Sequence, residues 1–116
     1  MVSAITDTMI RTLSPQEAAE LIEKGELDVV DVRESREWSS GHIPHARPIP
    51  LAELTADPRA ALPRDGVIFV CAKGVRSLKA AQAAEAAGLS HLYNVEGGTL
   101  GWSTAGLPLV DEGGGI

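Results

Sequence analysis

Val67-Ile68-Phe69-Val70 is apolar at every position. A run this short and this uniform predicts a strand buried on both faces, as in a parallel sheet covered by helices. Leu27 to Val32 (LDVVDV) predicts a second buried strand, carrying Asp28 and Asp31, and Leu92 to Val95 a third. Ile10 to Leu13 is a short strand or a lead-in. Arg47-Pro48-Ile49-Pro50 has too much proline for a central strand and is placed at a sheet edge.

Helical signals fall between these runs. Ser14-Pro15-Gln16-Glu17 is a start signal: a hydroxyl cap, proline at the first helical position and Glu17 at the capping-box position. Ala18, Leu21 and Ile22 then recur at helical spacing, and Gly25 predicts a left-handed stop. Ser35 to Trp38 suggests one turn ended by Gly41. Leu51 to Leu54 and Pro58 to Leu62 are short helical pieces. Ser77 to Ala87 (SLKAAQAAEAA) is rich in helix formers; Ser77 reads as its cap and Gly88 closes it. Gly97 to Trp102 is a turn with a last short helix. Strands alternating with helices predict an α/β fold, a small, mostly parallel five-stranded sheet flanked by helices with right-handed crossovers. At 116 residues the chain reads as one domain, with a core from about residue 9 to 110 and a frayed glycine-rich tail from Asp111 to Ile116.

Charge and composition narrow the function. Ten Lys and Arg against sixteen Asp and Glu give a net charge of -6, which argues against nucleic acid as partner. No apolar run approaches the ~20 residues that span a bilayer. The first residues, MVSAITDTMIRTL, lack the pattern of a signal peptide, so a cytoplasmic location is expected. Aromatic content of 3% leaves the core to Val, Ile, Leu and Ala. The one cysteine, Cys71, excludes an intramolecular disulfide and a cysteine-rich metal site. His42 and His45 flank Pro44 without an acidic partner nearby, so no metal is expected.

Cys71 follows the Val67 to Val70 strand and precedes a helix, and ligands in open α/β sheets bind beyond the carboxyl ends of strands. Loop N–H groups can curl round the sulfur, and the helix dipole adds positive potential. Lys73 and Arg76 add charge if they turn inward, and Gly74 permits a left-handed bend. All of these favour thiolate, the reactive form. The alternative is an inert buried thiol. No Gly-x-Ser-x-Gly elbow offers a hydroxyl nucleophile. Anion-binding thiolate loops serve phosphoester hydrolysis or sulfur transfer. Cysteine phosphatases carry Cys-x5-Arg; here the spacing is Cys-x4-Arg, with Ser77 at the phosphatase arginine position. The smaller ring suits one extra sulfur on the cysteine.

The chain resembles the rhodanese-homology domain family at four separated places. Asp31-Val32-Arg33-Glu34 with Glu37-Trp38, Gly41-His42-Ile43-Pro44 with Ala46, Cys71 to Arg76, and Gly97-Gly98 with Trp102 match its motifs in order. His45 departs from the pattern, standing where glycine is usual, and Arg47-Pro48 follows it. If that segment borders the site, His45 and Arg47 would add positive charge; otherwise it is a solvated loop.

The resemblance implies a thiosulfate sulfurtransferase working through a Cys71 persulfide, with no metal or organic cofactor. Ala72, Lys73, Gly74, Val75 and Arg76 would bind a small anionic sulfur donor. Asp31, Arg33 and Ser77 would support the site, Asp31 by bonding neighbouring backbone and Arg33 by pairing with Glu37. His42 would bond locally, and Trp38 and Trp102 would sit in the core or at its rim. A thiol or protein acceptor would remove the sulfur from a monomer. The alternative is a persulfide carrier or regulatory binding module with little turnover on free thiosulfate.

Overall fold

The computed structural model describes residues 10–111. The expectations for the extreme N-terminus and for the tail from residue 112 onward lie outside it. Along the chain run β1 (Ile10–Leu13), α1 (Pro15–Lys24), β2 (Asp28–Asp31), α2 (Ser35–Ser40), β3 (Arg47–Pro48), α3 (Leu51–Ala56), α4 (Pro58–Ala61), β4 (Val67–Val70), α5 (Val75–Ala86), β5 (Leu92–Val95) and α6 (Gly98–Thr104). The five strands form one sheet in the order β1-β5-β4-β2-β3. Every pair in it is parallel, Val67 standing opposite both Asp28 and Leu92.

β4 is the middle strand because it alone has no polar residue to place: all four of its residues are 0% exposed. Burial of side chains this size is worth roughly 1.5–3 kcal/mol each. Its alternation splits the core. Val67 and Phe69 join Val30, Leu54, Leu62, Ala80 and Ala84 on the α3–α5 face, while Ile68 and Val70 join Ala18, Ile22, Ile43 and Trp102 on the other.

The α1 cap is as expected. Ser14 accepts from the Glu17 N–H, Glu17 accepts from the Ser14 N–H, and Gly25 ends the helix at φ 73°. The start of α5 differs. Its cap is Gly74, in the left-handed region at φ 105°, and Ser77 lies inside the first turn. Ser77 caps nothing because its hydroxyl is used at the site described next.

Two other segments fix the periphery. His42 and Val110 exchange backbone hydrogen bonds of 2.7 and 2.8 Å, an isolated antiparallel bridge. Trp102 Nε1 donates to the Pro108 carbonyl at 2.7 Å, which holds residues 107–110 against the body.

Candidate active site

β4 delivers Cys71 to the carboxyl edge of the sheet, and the chain turns there into α5. Turning within four residues requires the left-handed conformation of Gly74. That bend aims the Gly74 N–H at Cys71 Sγ, 3.0 Å away. The loop is braced from below by the start of α6. Thr99 N–H donates to the Cys71 carbonyl at 2.8 Å and Leu100 N–H to the Ala72 carbonyl at 3.1 Å. Gly98 makes that contact possible, since a Cβ there would lie 2.1 Å from the Cys71 carbonyl oxygen.

Cys71 is 1% exposed, so its sulfur is the floor of the loop. Burial pushes the thiol pKa up. The Ser77 hydroxyl, 3.3 Å from Sγ, and the N–H groups of Ser77, Gly74 and Lys73 outweigh that and hold it below the ordinary thiol value. The N-terminus of the twelve-residue α5 acts in the same sense. These donors favour the thiolate over the thiol relative to an ordinary cysteine, and the thiolate is the reactive form.

The expected loop residues take different places. Lys73 is exposed and Val75 is 65% exposed at the rim, while Ala72 and Gly74 are half-buried. Arg76 does not point into the loop unpaired. It donates to Glu37 of α2 through two bonds of 2.8 and 3.2 Å. That guanidinium holds the Glu37 carboxyl at about 2, from an ordinary 4.5, and Glu37 in turn raises the pKa of Arg76, which also senses the charge on Cys71.

The expected Arg33–Glu37 pair is thus corrected. Arg33 precedes α2 and folds back on Asp31, giving Nε–Oδ1 3.0 Å, Nε–Oδ2 3.1 Å and Nη2–Oδ2 2.8 Å. Its Nη2 also donates to the Gly41 carbonyl at 2.8 Å, and Asp31 Oδ1 accepts the Arg33 N–H at 3.0 Å. Asp31 (0% exposed) and Arg33 (6%) are a buried brace joining the end of β2 to the end of α2. His42 bonds locally, its Nδ1 2.8 Å from the Trp38 carbonyl and its ring stacked on Trp38.

His45 and Arg47 lie at the other end of the sheet. Arg47 pairs with Asp28, the first residue of β2, at 2.9 and 2.7 Å. His45 lines hollows with Ile22, Glu23 and Leu107 and with Gly25 and Arg64. Neither borders Cys71. His45 has φ 74°, the left-handed backbone for which glycine is best suited, so the bend persists without the glycine.

One residue of the site was not anticipated. Asn94 of β5 is 6% exposed and accepts a hydrogen bond from the Ser77 hydroxyl. The available signal was a polar residue inside a buried strand, which demands a partner. Among the described residues no group of three or more His, Cys, Asp or Glu side chains could hold a metal ion, and no helix is long and apolar enough to cross a membrane.

The profile of the rhodanese-like domain matches residues 14–105. The HTH-type transcriptional regulator Rv0324 of Mycobacterium tuberculosis is 42% identical over 108 residues, covering 86% of this chain and 47% of its own length. The thiosulfate sulfurtransferase GlpE of Actinobacillus pleuropneumoniae is 31% identical over 97 residues, covering 84% of this chain and 90% of its own. A crystal structure of a rhodanese-related protein from Thermoplasma volcanium superposes with a TM-score of 0.77 at 34% identity, covering 88% of this chain and 99% of that one. The chain spans about half the length of the first curated relatives it matches.

Proposed function

The chain belongs to the rhodanese-like domain family, and from that premise we propose that it is a sulfurtransferase taking sulfane sulfur from a small anionic donor such as thiosulfate. The observation that carries the reading is the aim of the Gly74 N–H at Cys71 Sγ itself, 3.0 Å away. The Cys-x4-Arg spacing closes a smaller ring than the Cys-x5-Arg of a phosphate cradle, and Arg76 is engaged by Glu37.

In the proposed reaction the Cys71 thiolate attacks the outer sulfur of thiosulfate. A sulfur–sulfur bond forms to Cys71, the bond between the two thiosulfate sulfurs breaks, and its electron pair leaves with sulfite. The resulting persulfide anion sits among the loop amides. An acceptor thiolate, or cyanide, then attacks the terminal sulfur and releases Cys71 as thiolate. This is double displacement through a covalent intermediate. Lys73, exposed at the rim, is assigned to the anionic end of the donor, and Arg76 to long-range charge and loop position. The near-complete enclosure of Cys71 favours a slim donor.

A second reading, a persulfide carrier or sulfur-sensing module, is favoured by the likeness to a transcriptional regulator in which the matched region is about half the protein. It would exchange sulfur with a protein thiol and turn over slowly on free thiosulfate. Intact mass after incubation with thiosulfate separates the outcomes. The wild type is expected to gain one sulfur atom, lost again to cyanide or thiol, and Cys71→Ser to gain none. Sulfur retained by Cys71→Ser overturns the assignment. No gain by the folded, reduced wild type overturns the use of thiosulfate, and loading from a persulfidated protein then supports the carrier.

A further inference from the structure

Ser77 and Asn94 form a buried pair, 0% and 6% exposed, beside the reactive sulfur. The Ser77 hydroxyl donates to Asn94 Oδ1 at 2.5 Å while its oxygen lies 3.3 Å from Cys71 Sγ. A hydroxyl has one proton to give. With that proton on the Asn94 side, Ser77 can only accept from the cysteine. The arrangement is a chain from S–H to O–H to the amide carbonyl, complete for a neutral thiol.

A thiolate has no proton to donate, and it needs one from Ser77. Turning the hydroxyl toward sulfur leaves the Ser77 oxygen facing Asn94 Oδ1, two acceptors at hydrogen-bond distance in a buried site, which is costly. An asparagine side chain removes the conflict, because its other end is an NH2 donor. A half-turn about its last torsion brings Nδ2 to the Ser77 oxygen.

We propose that Asn94 is a positioning residue for Cys71, its amide turning end for end as the cysteine passes from thiol to thiolate. The proton lost from sulfur goes to solvent; Ser77 keeps its hydrogen and Asn94 keeps both of its own. Ser77 thereby serves both states of the sulfur while keeping its bond to position 94, which an acceptor-only residue there would not allow. The inference rests on the reading of Cys71 as a nucleophile, and its tests use no sulfur transfer.

The charged groups at this end of the sheet are Lys73 of the loop, Arg76 of α5 with Glu37 of α2 upon it, Asp31 with Arg33 at the end of β2, Glu34 at the start of α2 and Glu96 just after β5. Among the described residues none of them is bonded to the Ser77 or Asn94 side chain, so they act equally on parent and variants. Asn94→Asp offers only acceptors and pins the Ser77 proton away from sulfur. The pH profile of Cys71 alkylation by iodoacetamide is expected to move upward by about one unit, a tenfold slower reaction below the inflection. A carboxylate also acts through space, so the same change is made in Ser77→Ala, where the shift is expected to shrink to less than half. Equal shifts in the two backgrounds overturn the proposal.

The wild type provides a test that needs no variant at position 94. The Asn94 side-chain amide resonance, followed by NMR through the Cys71 titration, is expected to inflect at the Cys71 midpoint and to lose that inflection in Ser77→Ala. An amide signal indifferent to the charge of Cys71 overturns the proposal. Failure to accept sulfur from thiosulfate, with these results intact, would count against the proposed function alone.

Discussion

Alanine at position 98 tests how the cysteine loop is held. Gly98 has φ +58°, and an added Cβ would lie 2.1 Å from the Cys71 carbonyl oxygen and 2.5 Å from the Ala72 carbonyl carbon. These neighbours are backbone and cannot swing aside, so the loop and the start of α6 must part by about 1 Å to restore normal contact. Two costs add. A side chain in the left-handed region costs roughly 1–2 kcal/mol. Separation breaks the bonds from Thr99 and Leu100 to the loop carbonyls, each worth about 1 kcal/mol. The expected loss is about 3–4 kcal/mol, a large share of the 5–15 kcal/mol typical of a domain. Gly25→Ala is the control: φ is +73° and nothing lies within 4 Å of the added Cβ, so only the roughly 1–2 kcal/mol conformational cost applies. Urea unfolding of both variants measures the difference, and the rate of Cys71 alkylation is expected to change only in Gly98→Ala. Equal stability losses, or an unchanged alkylation rate in Gly98→Ala, would refute the steric argument.

Two further substitutions probe the surroundings. The Glu37 carboxyl is held at about 2 against an ordinary 4.5, so the stabilisation from its pair with Arg76 is complete above pH 4.5 and lost as the pH falls toward 2. Glu37→Gln should therefore cost stability at pH 7, by less than about 1 kcal/mol because both side chains are a third exposed, and the gap from wild type should close by pH 2; urea midpoints that stay apart there would contradict this. At position 45, with φ 74°, His45→Gly should be neutral to stabilising and His45→Val should cost about 1–2 kcal/mol, read from thermal unfolding; equal melting temperatures would show that the bend is not retained.

What could be read from the sequence was what neighbouring residues decide. The Ser14–Glu17 capping box closes over three residues, and the unbroken apolar run of β4 has no arrangement but a doubly covered strand. Ser77 lies inside α5 although serine is a good helix cap; the pull of Cys71 and Asn94, six and seventeen residues away, has no local trace. Arg33 and Glu37 have the spacing of a helical pair. The helix begins only at Ser35, so Arg33 is left outside it and turns to Asp31, while Glu37 is taken by Arg76 from a distant element. The placement of Cys71 between a strand and a helix was legible because the apolar run of β4 ends at it and helix formers follow. The partners that tune it were not, since they depend on which strand lies beside which.

The strand order also bears on when the thiol acquires these partners. β2 and β4 can pair once the first two-thirds of the chain exist, but β1 waits for β5, with Ile10 opposite Leu92. The braces under the cysteine loop come later still, from Thr99 and Leu100. Synthesis proceeds from the N-terminus at about 5–20 residues per second. Cys71 and the amides of its loop therefore emerge well before the braces that hold them, which arrive only after nearly all the described chain has been made. Premature termination between α5 and α6 yields a chain with the cysteine loop but without the braces that hold it.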